Sequence, residues 1–304
     1  MKHSNLIVLL AVSLCMTACG WDDGYDFEFG VWSDDSEAIA AVRHTFEYRD
    51  TVTHQKRRNY TVQVYVNDNA TGSPLTVLSP ELEGRATALY YMRDAGYIVL
   101  GREGEAQETV DGSDEALVAY DLIRMDGTTT SLGSGVYTTM LSCDGGQSSA
   151  SLDDNLRVIP SPDGSILAKF TSSTTCTSRT ESLTFLDAMS LSVIAGPFDV
   201  EVGPPNLAFP SSPWAPRELA WTVDNTFMVA NWGGGAPVDF MYAQIFSVDA
   251  EPETNVLQKM SCFWPATTSS FEGNTGTYIN LSNDGDISLE QPIDPSTTLY
   301  FGCD

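Results

Sequence analysis

Residues 158–170, VIPSPDGSILAKF, consist of two apolar runs with a tight turn between them. In such a turn proline presets the backbone, aspartate closes the turn with its side chain, and Gly164 accepts a positive φ. Four looser copies of this pattern begin at Trp32, Tyr91, Trp221 and Leu281. The turn aspartates of the five copies are Asp35, Asp94, Asp163, Asp224 and Asp284, at spacings of 59, 69, 61 and 60 residues.

A near-constant period in a chain of short strands is typical of a propeller. The sequence predicts an all-β fold, a β-propeller of five blades with four antiparallel strands each. The last blade is predicted to be incomplete, because the chain ends after the third strand of that repeat. Third strands that end near an aspartate (Asp68, Asp121, Asp187 and Asp249) predict turns closed by that side chain. We expect one propeller domain over residues 25–304.

The copy SPDGSILAKF resembles the strand–turn–strand motif of TolB-like periplasmic propellers and related WD-type repeats. The other four copies, SDDSEA, MRDAGY, TVDNTF and SNDGDI, are degenerate forms of it. The resemblance implies a propeller used as a binding scaffold, and it implies no particular ligand.

The N-terminus predicts a targeting segment. Lys2 precedes the apolar run 6–14, which is too short to span a bilayer as a helix. The following MTACG resembles a bacterial lipobox, which implies cleavage before Cys19 and lipidation of its thiol. Residues 1–18 are then a lipoprotein signal peptide and residues 19–24 a lipidated linker. The alternative is an ordinary secretory signal that is cut near Ala18 and leaves Cys19 as a free thiol.

Cysteine usage agrees with export to an oxidising compartment, where disulfides form. Cys143 and Cys176 flank the turn at Asp163, and Cys262 and Cys303 flank the turn at Asp284 in the same order. This equivalence predicts the bonds Cys143–Cys176 and Cys262–Cys303. The alternative is a zinc site, which the lack of a CxxC spacing and the few histidines disfavour.

Charge restricts the partners. Removal of residues 1–18 takes away Lys2 and no acidic residue, which leaves 14 basic and 41 acidic residues and a net charge of −27. Such a charge disfavours nucleic acid and anionic lipid as general partners. We expect an exported monomer in the bacterial cell envelope, at the outer membrane or cell surface, that contacts the membrane through its lipid anchor.

Long predicted loops lie on one face of the propeller, where function usually resides. The predicted loop 49–59 carries Lys56, Arg57 and Arg58, either as a solvated hairpin or as a contact for an anionic partner. Trp214 and Trp232 are predicted outside strands, among glycines and prolines. They either plug the blade tops or form a binding surface for a sugar or peptide.

Enzyme signatures are mostly missing from the sequence, which has no GxSxG, HExxH or P-loop motif. No catalytic residue, cofactor or metal ligand is therefore assigned, and His44 is interpreted as a strand residue. The calcium-like NDGD at residues 283–286 lacks the twelve-residue pattern of a calcium loop. A non-catalytic scaffold for an envelope protein or polysaccharide is favoured. The alternative is a glycoside-active propeller that uses paired carboxylates near the central axis.

Overall fold

The computed structural model describes residues 21–35, 37–50, 55–67, 74–105, 107–108, 114–143, 146–149, 156–174, 179–200, 218–221, 226–233, 240–257, 278–281 and 287–290. All regular elements in these residues are β-strands, so the predicted all-β class is confirmed. Within these ranges there is no helix long and apolar enough to cross a membrane.

The strands form five antiparallel sheets within the described residues. The first contains β1 (Asp22–Trp32), β2 (Ile39–Asp50), β3 (Gln55–Asn67), β4 (Thr76–Val77) and β5 (Leu82–Glu83). The second contains β6 (Arg85–Met92), β7 (Tyr97–Glu103), β8 (Gln107–Glu108), β9 (Asp114–Arg124), β10 (Thr129–Cys143) and β11 (Gly146–Ser149). The third contains β12 (Leu156–Pro160), β13 (Ile166–Thr174), β14 (Arg179–Asp187) and β15 (Val193–Asp199).

The fourth sheet contains β16 (Glu218–Trp221), β17 (Phe227–Gly233), β18 (Phe240–Phe246) and β19 (Glu253–Leu257). The fifth contains β20 (Tyr278–Leu281) and β21 (Ile287–Glu290). Each of the first four sheets is built around an antiparallel meander in chain order, with the short strands β5 and β8 added at the sides of the first and second. This is the strand order of propeller blades.

Apolar side chains bury the faces between successive blades. Val42, Val62 and Val64 of the first blade share one core cluster with Leu89 and Ile98 of the second. Equivalent clusters join the second blade to the third and the third to the fourth. Strand β20 lies against β1, which brings the last sheet next to the first. Successive stacking together with this return contact defines a β-propeller.

The strand period of two explains why inner strands are apolar throughout. In β7, Ile98 and Leu100 contact the first blade, whereas Tyr97 and Val99 pack toward the third. Successive side chains on a strand point to opposite faces, and both faces of an internal blade are covered. A continuous apolar run is therefore what such a strand requires.

The predicted aspartate turns are present in the first and third blades. Ser161 Oγ donates to Asp163 Oδ1 at 2.6 Å, and the same carboxylate oxygen accepts from the Ser165 backbone at 3.0 Å. Ser33 and Asp35 form the matching pair in the first blade. In the second blade Gly96 N donates to Arg93 O at 3.0 Å, as Gly164 N does to Ser161 O at 2.9 Å in the third, but no described residue donates to the Asp94 carboxylate. Asp224 and Asp284 lie outside the described residues.

Hydrogen bonds also join these turns from blade to blade. Arg93 N donates to Asp34 Oδ1 at 2.9 Å, and Tyr97 Oη donates to the carbonyl of Gly164 at 2.8 Å. Gly164 has φ +69, and a Cβ there would lie 2.6 Å from Ala95 Cβ, so both its backbone and its surroundings require glycine. We call the end of the propeller with these turns the turn end.

In the predicted loop 49–59, the described residues belong to the paired strands β2 and β3. Pairing of β2 with β3 continues to Asp50 opposite Gln55, so residues 55–59 belong to a strand. Similarly, β13 and β14 pair as far as Thr174 opposite Arg179. The sequence of these hairpins is mostly polar and charged, as in QKRRN at residues 55–59, so the usual strand signal of alternating apolar residues is missing. We call the end of the propeller with these hairpins the ribbon end.

Two smaller predictions also need correction. Asp121 does not close a turn: it lies within β9, buried, and accepts from Arg102 Nε at 2.7 Å. Asp126 closes that turn instead, with Oδ1 accepting from Thr128 N at 2.9 Å. In addition, β1 begins at Asp22, so three residues predicted as linker belong to the first strand.

Candidate functional site

The first blade carries a cluster of charged side chains toward the ribbon end. Asp26 and Glu28 lie two residues apart on β1 and therefore point to the same face of the sheet. His44 of β2 is directly opposite Asp26 in the strand register. This face packs on the second blade, so the cluster lies at the junction between the two blades.

His44 has a defined hydrogen-bonding state. Its side chain is 1% exposed, and its Nε2 accepts from the backbone N–H of Ala86 at 2.9 Å. Nε2 therefore carries the lone pair, and in the neutral ring the proton is on Nδ1. Nδ1 lies 3.5 Å from Glu28 Oε2 and 3.7 Å from Asp26 Oδ1.

Burial lowers the pKa of His44 below its ordinary value, although the nearby carboxylates of Glu28 and Asp26 oppose this shift. The rings of Phe29 and Tyr60 contact the imidazole edge-on at centroid distances of 6.5 and 6.3 Å. The neutral form of His44 is therefore favoured, in an apolar enclosure with one polar side.

Asp26, Glu28 and His44 offer three ligand atoms within 4.8 Å of one another, a spacing that a metal ion could bridge. A metal at Nδ1 needs that lone pair, which moves the proton to Nε2. The Nε2 proton would then face the Ala86 N–H, so two donors would meet at 2.9 Å. The histidine tautomer does not fit a cation here, and no metal is assigned.

Arginines balance both carboxylates of the cluster. Arg57 Nη1 lies 2.5 Å from Asp26 Oδ2, and Arg85 Nη2 lies 3.4 Å from Glu28 Oε2. The Arg57 guanidinium also stacks over the Phe46 ring at 4.1 Å. Arg85 belongs to the second blade, so this network is a polar link between two blades.

The structure places the predicted basic cluster on β3. Arg57 contacts Asp26, and Arg58 Nη2 lies 2.8 Å from Glu47 Oε2 while its guanidinium stacks over the Trp21 ring at 4.0 Å. Among the described residues, Lys56 has no ion-pair partner, and it is exposed. The predicted contact with an anionic partner stays a prediction.

The opposite face of the first blade contains a groove of about 410 Å³. Cross-strand pairing of Asp23 with Glu47 and of Tyr25 with Thr45 places these four side chains on one face. Arg43 and Asn59 complete the polar lining. The sequence did not identify this groove, because its residues come from three strands with no motif.

Two bulges bend the first blade beside the cluster and the groove. The register shifts between Glu28 and Val31 in β1 and between Thr45 and Glu47 in β2. Phe29 and Asn59 lie at these bulges with φ of 55° and 54°. Leu191 in the third blade has a φ of 58° as well, so the choice of the first blade as candidate site rests on the charged cluster and the groove.

The other predicted site residues are distributed as follows. Trp232 was predicted outside a strand, but it lies in β17 and pairs with Met241. That strand continues to Gly233 because β18 pairs with it to the end. Cys143 ends β10, and its side chain is outside the described set. Cys19, Cys176, Trp214, Cys262 and Cys303 lie outside the described residues, so the lipidation, the disulfides and the tryptophan site stay predictions.

No family model matches the chain, and no curated protein matches it. Among solved structures, the chain is similar to the β-propeller domain of the trilobed protease from Pyrococcus furiosus, with 12% identity and a TM-score of 0.42. The match covers 88% of this chain and 64% of that one. It is also similar to the Pyrococcus horikoshii acylaminoacyl peptidase, with 10% identity and a TM-score of 0.41, over 80% of this chain and 34% of that one.

The chain thus spans less than two thirds of the length of both solved chains. Neither similarity bears on the activity of this chain. The class of the molecule, a β-propeller, rests on its own sheets and their stacking.

Proposed function

We propose that the protein is a lipid-anchored binding scaffold of the bacterial cell envelope that contacts a protein or polysaccharide at its ribbon end. The observation that carries this proposal is the difference between the two ends of the molecule. Hydrogen bonds between blades join the short turns at the turn end. The ribbon end carries the long hairpins of β2 with β3 and of β13 with β14, together with the groove. A rigid base with an elaborated opposite end suits a binding platform.

The proposed scaffold is non-catalytic. Among the described residues, Asp26 and Glu28 are two carboxylates grouped with a histidine, and each of them contacts an arginine. Glycoside hydrolysis needs one of two carboxyl groups to deliver a proton. Two carboxylates matched by guanidinium groups favour a structural link between blades, so the glycoside-active alternative takes second place.

Anchoring of the scaffold rests on the lipobox-like MTACG segment and its Cys19. In bacteria expressing the full-length chain, wild-type protein should be labelled by a fatty acid and should sediment with membranes. The Cys19→Ser variant should lose the label and move to the soluble fraction. A wild type without label would refute the anchor and leave the secretory-signal interpretation.

Binding can be tested by capturing envelope components from fractionated cells with the purified chain. The expected result is retention of a defined protein or polysaccharide, reduced in a Trp214→Ala, Trp232→Ala double variant and in Lys56→Ala. Met189→Ala is a matched control, because Met189 is 62% exposed and follows the turn at Asp187, at the turn end. Absence of any retained component would contradict the scaffold proposal. Retention that is equal in all variants would contradict the assignment of these residues.

A further inference from the structure

Basic residues are concentrated in one hairpin of a strongly acidic chain. Residues 49–58 contain four basic residues and one acidic residue, and thus carry +3. The rest of the chain after residue 18 contains 10 basic and 40 acidic residues and carries −30. In the structure this hairpin is the paired end of β2 and β3, with Arg49 opposite Lys56 and Asp50 opposite Gln55. The molecule is therefore electrically asymmetric, and its basic part lies at the ribbon end.

Ion pairs offset part of the charge on this hairpin. Arg57 Nη1 contacts Asp26, and Arg58 Nη2 contacts Glu47. Lys56 is exposed and has no ion-pair partner among the described residues. With these two acids and the two aspartates at the start of β1 included, the corner is close to neutral, in a chain that carries −27. At physiological ionic strength charges act over about 8 Å, so an anionic surface at this corner meets little of the repulsion due to the rest of the chain.

The start of β1 lies beside the same hairpin. Asp22 pairs with Tyr48, which pairs with Arg57 on its other side. The ring of Trp21 is partly exposed, and the Arg58 guanidinium lies over it at 4.0 Å from the centroid. The described chain therefore begins at the ribbon end of the first blade, against the basic hairpin.

The predicted lipid anchor is close to this corner along the chain. Cys19 precedes Trp21 by two residues. An extended chain spans at most about 3.6 Å per residue, so the Cα atoms of Cys19 and Trp21 are at most about 7 Å apart. The headgroup layer on each side of a bilayer is about 5–8 Å thick. A lipid on Cys19 whose acyl chains enter the bilayer therefore brings Trp21 and the adjoining hairpin to the headgroup layer.

The side chains of this corner suit such a layer. Tryptophan is enriched at membrane interfaces, because its ring is amphipathic. Lysine and arginine lay their alkyl stems along apolar surface and extend the charged group to polar surroundings. Basic residues beside a lipid anchor also add electrostatic attraction to anionic phospholipids. The hairpin offers this attraction on paired strands whose position relative to Trp21 is fixed.

We infer that Trp21 and the hairpin of residues 49–58 form a membrane-docking surface that contacts the headgroups of anionic phospholipids when Cys19 carries its lipid. The inference rests on the lipid anchor of the proposed function and adds an orientation to it. The ribbon end of the first blade then faces the bilayer, and its turn end faces away. A partner bound at this ribbon end is accordingly an envelope component that lies close to the membrane.

The test is a lysine footprint of the processed, lipidated chain reconstituted into vesicles of phosphatidylethanolamine and phosphatidylglycerol. After residue 18 the chain has three lysines, Lys56, Lys169 and Lys259, so each can be followed by peptide mass spectrometry after amine modification. We expect Lys56 to be modified about fivefold more slowly than in the Cys19→Ser chain mixed with the same vesicles, the factor that corresponds to about 1 kcal/mol for one basic residue at an anionic membrane. Lys169, which donates to the Leu132 carbonyl at 2.8 Å in both chains, should keep its rate.

Two introduced lysines provide a matched pair of further footprint sites. Gln55→Lys adds a cation to the exposed tip of the hairpin, and Met189→Lys adds one at the turn end, where Met189 is 62% exposed. The lysine introduced by Gln55→Lys should be protected by the vesicles in the lipidated chain. The lysine introduced by Met189→Lys should be modified at the same rate with and without vesicles.

The outcomes separate the docking surface from the anchor. A wild-type chain that does not float with vesicles would refute the anchor and, with it, this inference. A chain that floats while Lys56 keeps the rate of the Cys19→Ser chain would overturn the docking surface and leave the anchor standing. Equal slowing at every lysine, or protection of the turn-end lysine alone, would overturn it too. Protection of Lys56 by added envelope polysaccharide but not by vesicles would assign the hairpin to that partner instead.

Discussion

At the scale of the residue, His44 shows how burial and hydrogen bonding define one chemical state. Its Nε2 accepts from Ala86 N–H across the junction between the first two blades. Protonation of the ring would place a second donor against that N–H and break the bond. The folded chain therefore resists protonation of this side chain, in agreement with the lowered pKa that burial causes.

This linkage predicts acid destabilisation. Because the pKa of His44 is lowered in the folded chain, the unfolded chain binds the proton more readily. The free energy of unfolding should be fully maintained above the ordinary value of 6.5 and should fall as the pH drops below it. One proton contributes up to about 1.4 kcal/mol per pH unit. His44→Gln, whose amide oxygen can accept from Ala86 N–H, should remove this contribution in urea titrations at pH 7.5 and 5.5.

Carboxylates contribute to the pH dependence of both proteins. The difference in the free energy of unfolding between the wild type and His44→Gln therefore reports on His44. His54→Gln changes another histidine of the chain and should keep the wild-type dependence on pH. If His44→Gln and wild type lose the same free energy of unfolding between pH 7.5 and 5.5, the assigned tautomer is wrong.

At the scale of the element, the aspartate turns are the units that set blade geometry. Burial alone would raise the pKa of Asp163, but hydrogen bonds from Ser161 and Ser165 outweigh it and hold the pKa below its ordinary value of 3.8. Removing this acceptor in Asp163→Ala leaves the Ser165 backbone N–H without its partner. We expect a loss of about 1–2 kcal/mol in the free energy of unfolding, measured by urea titration at neutral pH.

Asp94 provides the matched control, since it has the same position in its repeat. No described residue donates a hydrogen bond to its carboxylate, and Gly96 N and Arg93 O close that turn. Asp94→Ala should change the free energy of unfolding by no more than about 0.5 kcal/mol. Equal losses in the two variants would show that position in the repeat, and not the hydrogen bonds, determines the contribution.

Strands could be predicted where the sequence shows the apolar pattern of a strand. The two apolar runs of residues 158–170 form β12 and β13, because buried strands show continuous apolar runs. The end of the hairpin of β2 and β3, residues 49–59, was predicted as a loop, because charged pairs such as Glu47 with Arg58 stabilise it without apolar alternation. Asp121 was misassigned for a related reason: sequence alone does not reveal its partner Arg102 on the neighbouring strand.

The site was less predictable than the fold. The pattern of Asp26 and Glu28 on one strand was available in the sequence, but their meeting with His44 depends on strand register. Tyr25 and Asn59 both line the groove because of a bulge in the pairing of β2 with β3, and no local sequence motif predicts that bulge. Strand register and bulges depend on tertiary packing. Residues that they bring together therefore cannot be predicted from local sequence patterns.

At the scale of the whole molecule, the question is how the blades are closed into one unit. Within the described residues the fifth sheet contributes β20 and β21, and β20 lies against β1. The predicted Cys262–Cys303 bond would reinforce that region covalently, and Cys143–Cys176 would do so within the third repeat. The paired cysteines are 33 and 41 residues apart. Disulfides that close loops of this length are expected to contribute about 3–4 kcal/mol each, mainly by restricting the unfolded chain.

Non-reducing peptide mapping of the exported protein should find these two pairs and no cross-pairing. The paired variants Cys143→Ser, Cys176→Ser and Cys262→Ser, Cys303→Ser should each lower the thermal midpoint relative to wild type. Dithiothreitol should lower the thermal midpoint of each variant by less than that of the wild type, because one of the bonds it reduces is already absent. The Cys262, Cys303 variant should in addition expose the junction of β1 and β20 to hydrogen exchange, because its bond lies in the closing repeat. Free thiols in the oxidised wild type, or peptides that link Cys143 to Cys262, would refute the pairing and the repeat equivalence on which it rests.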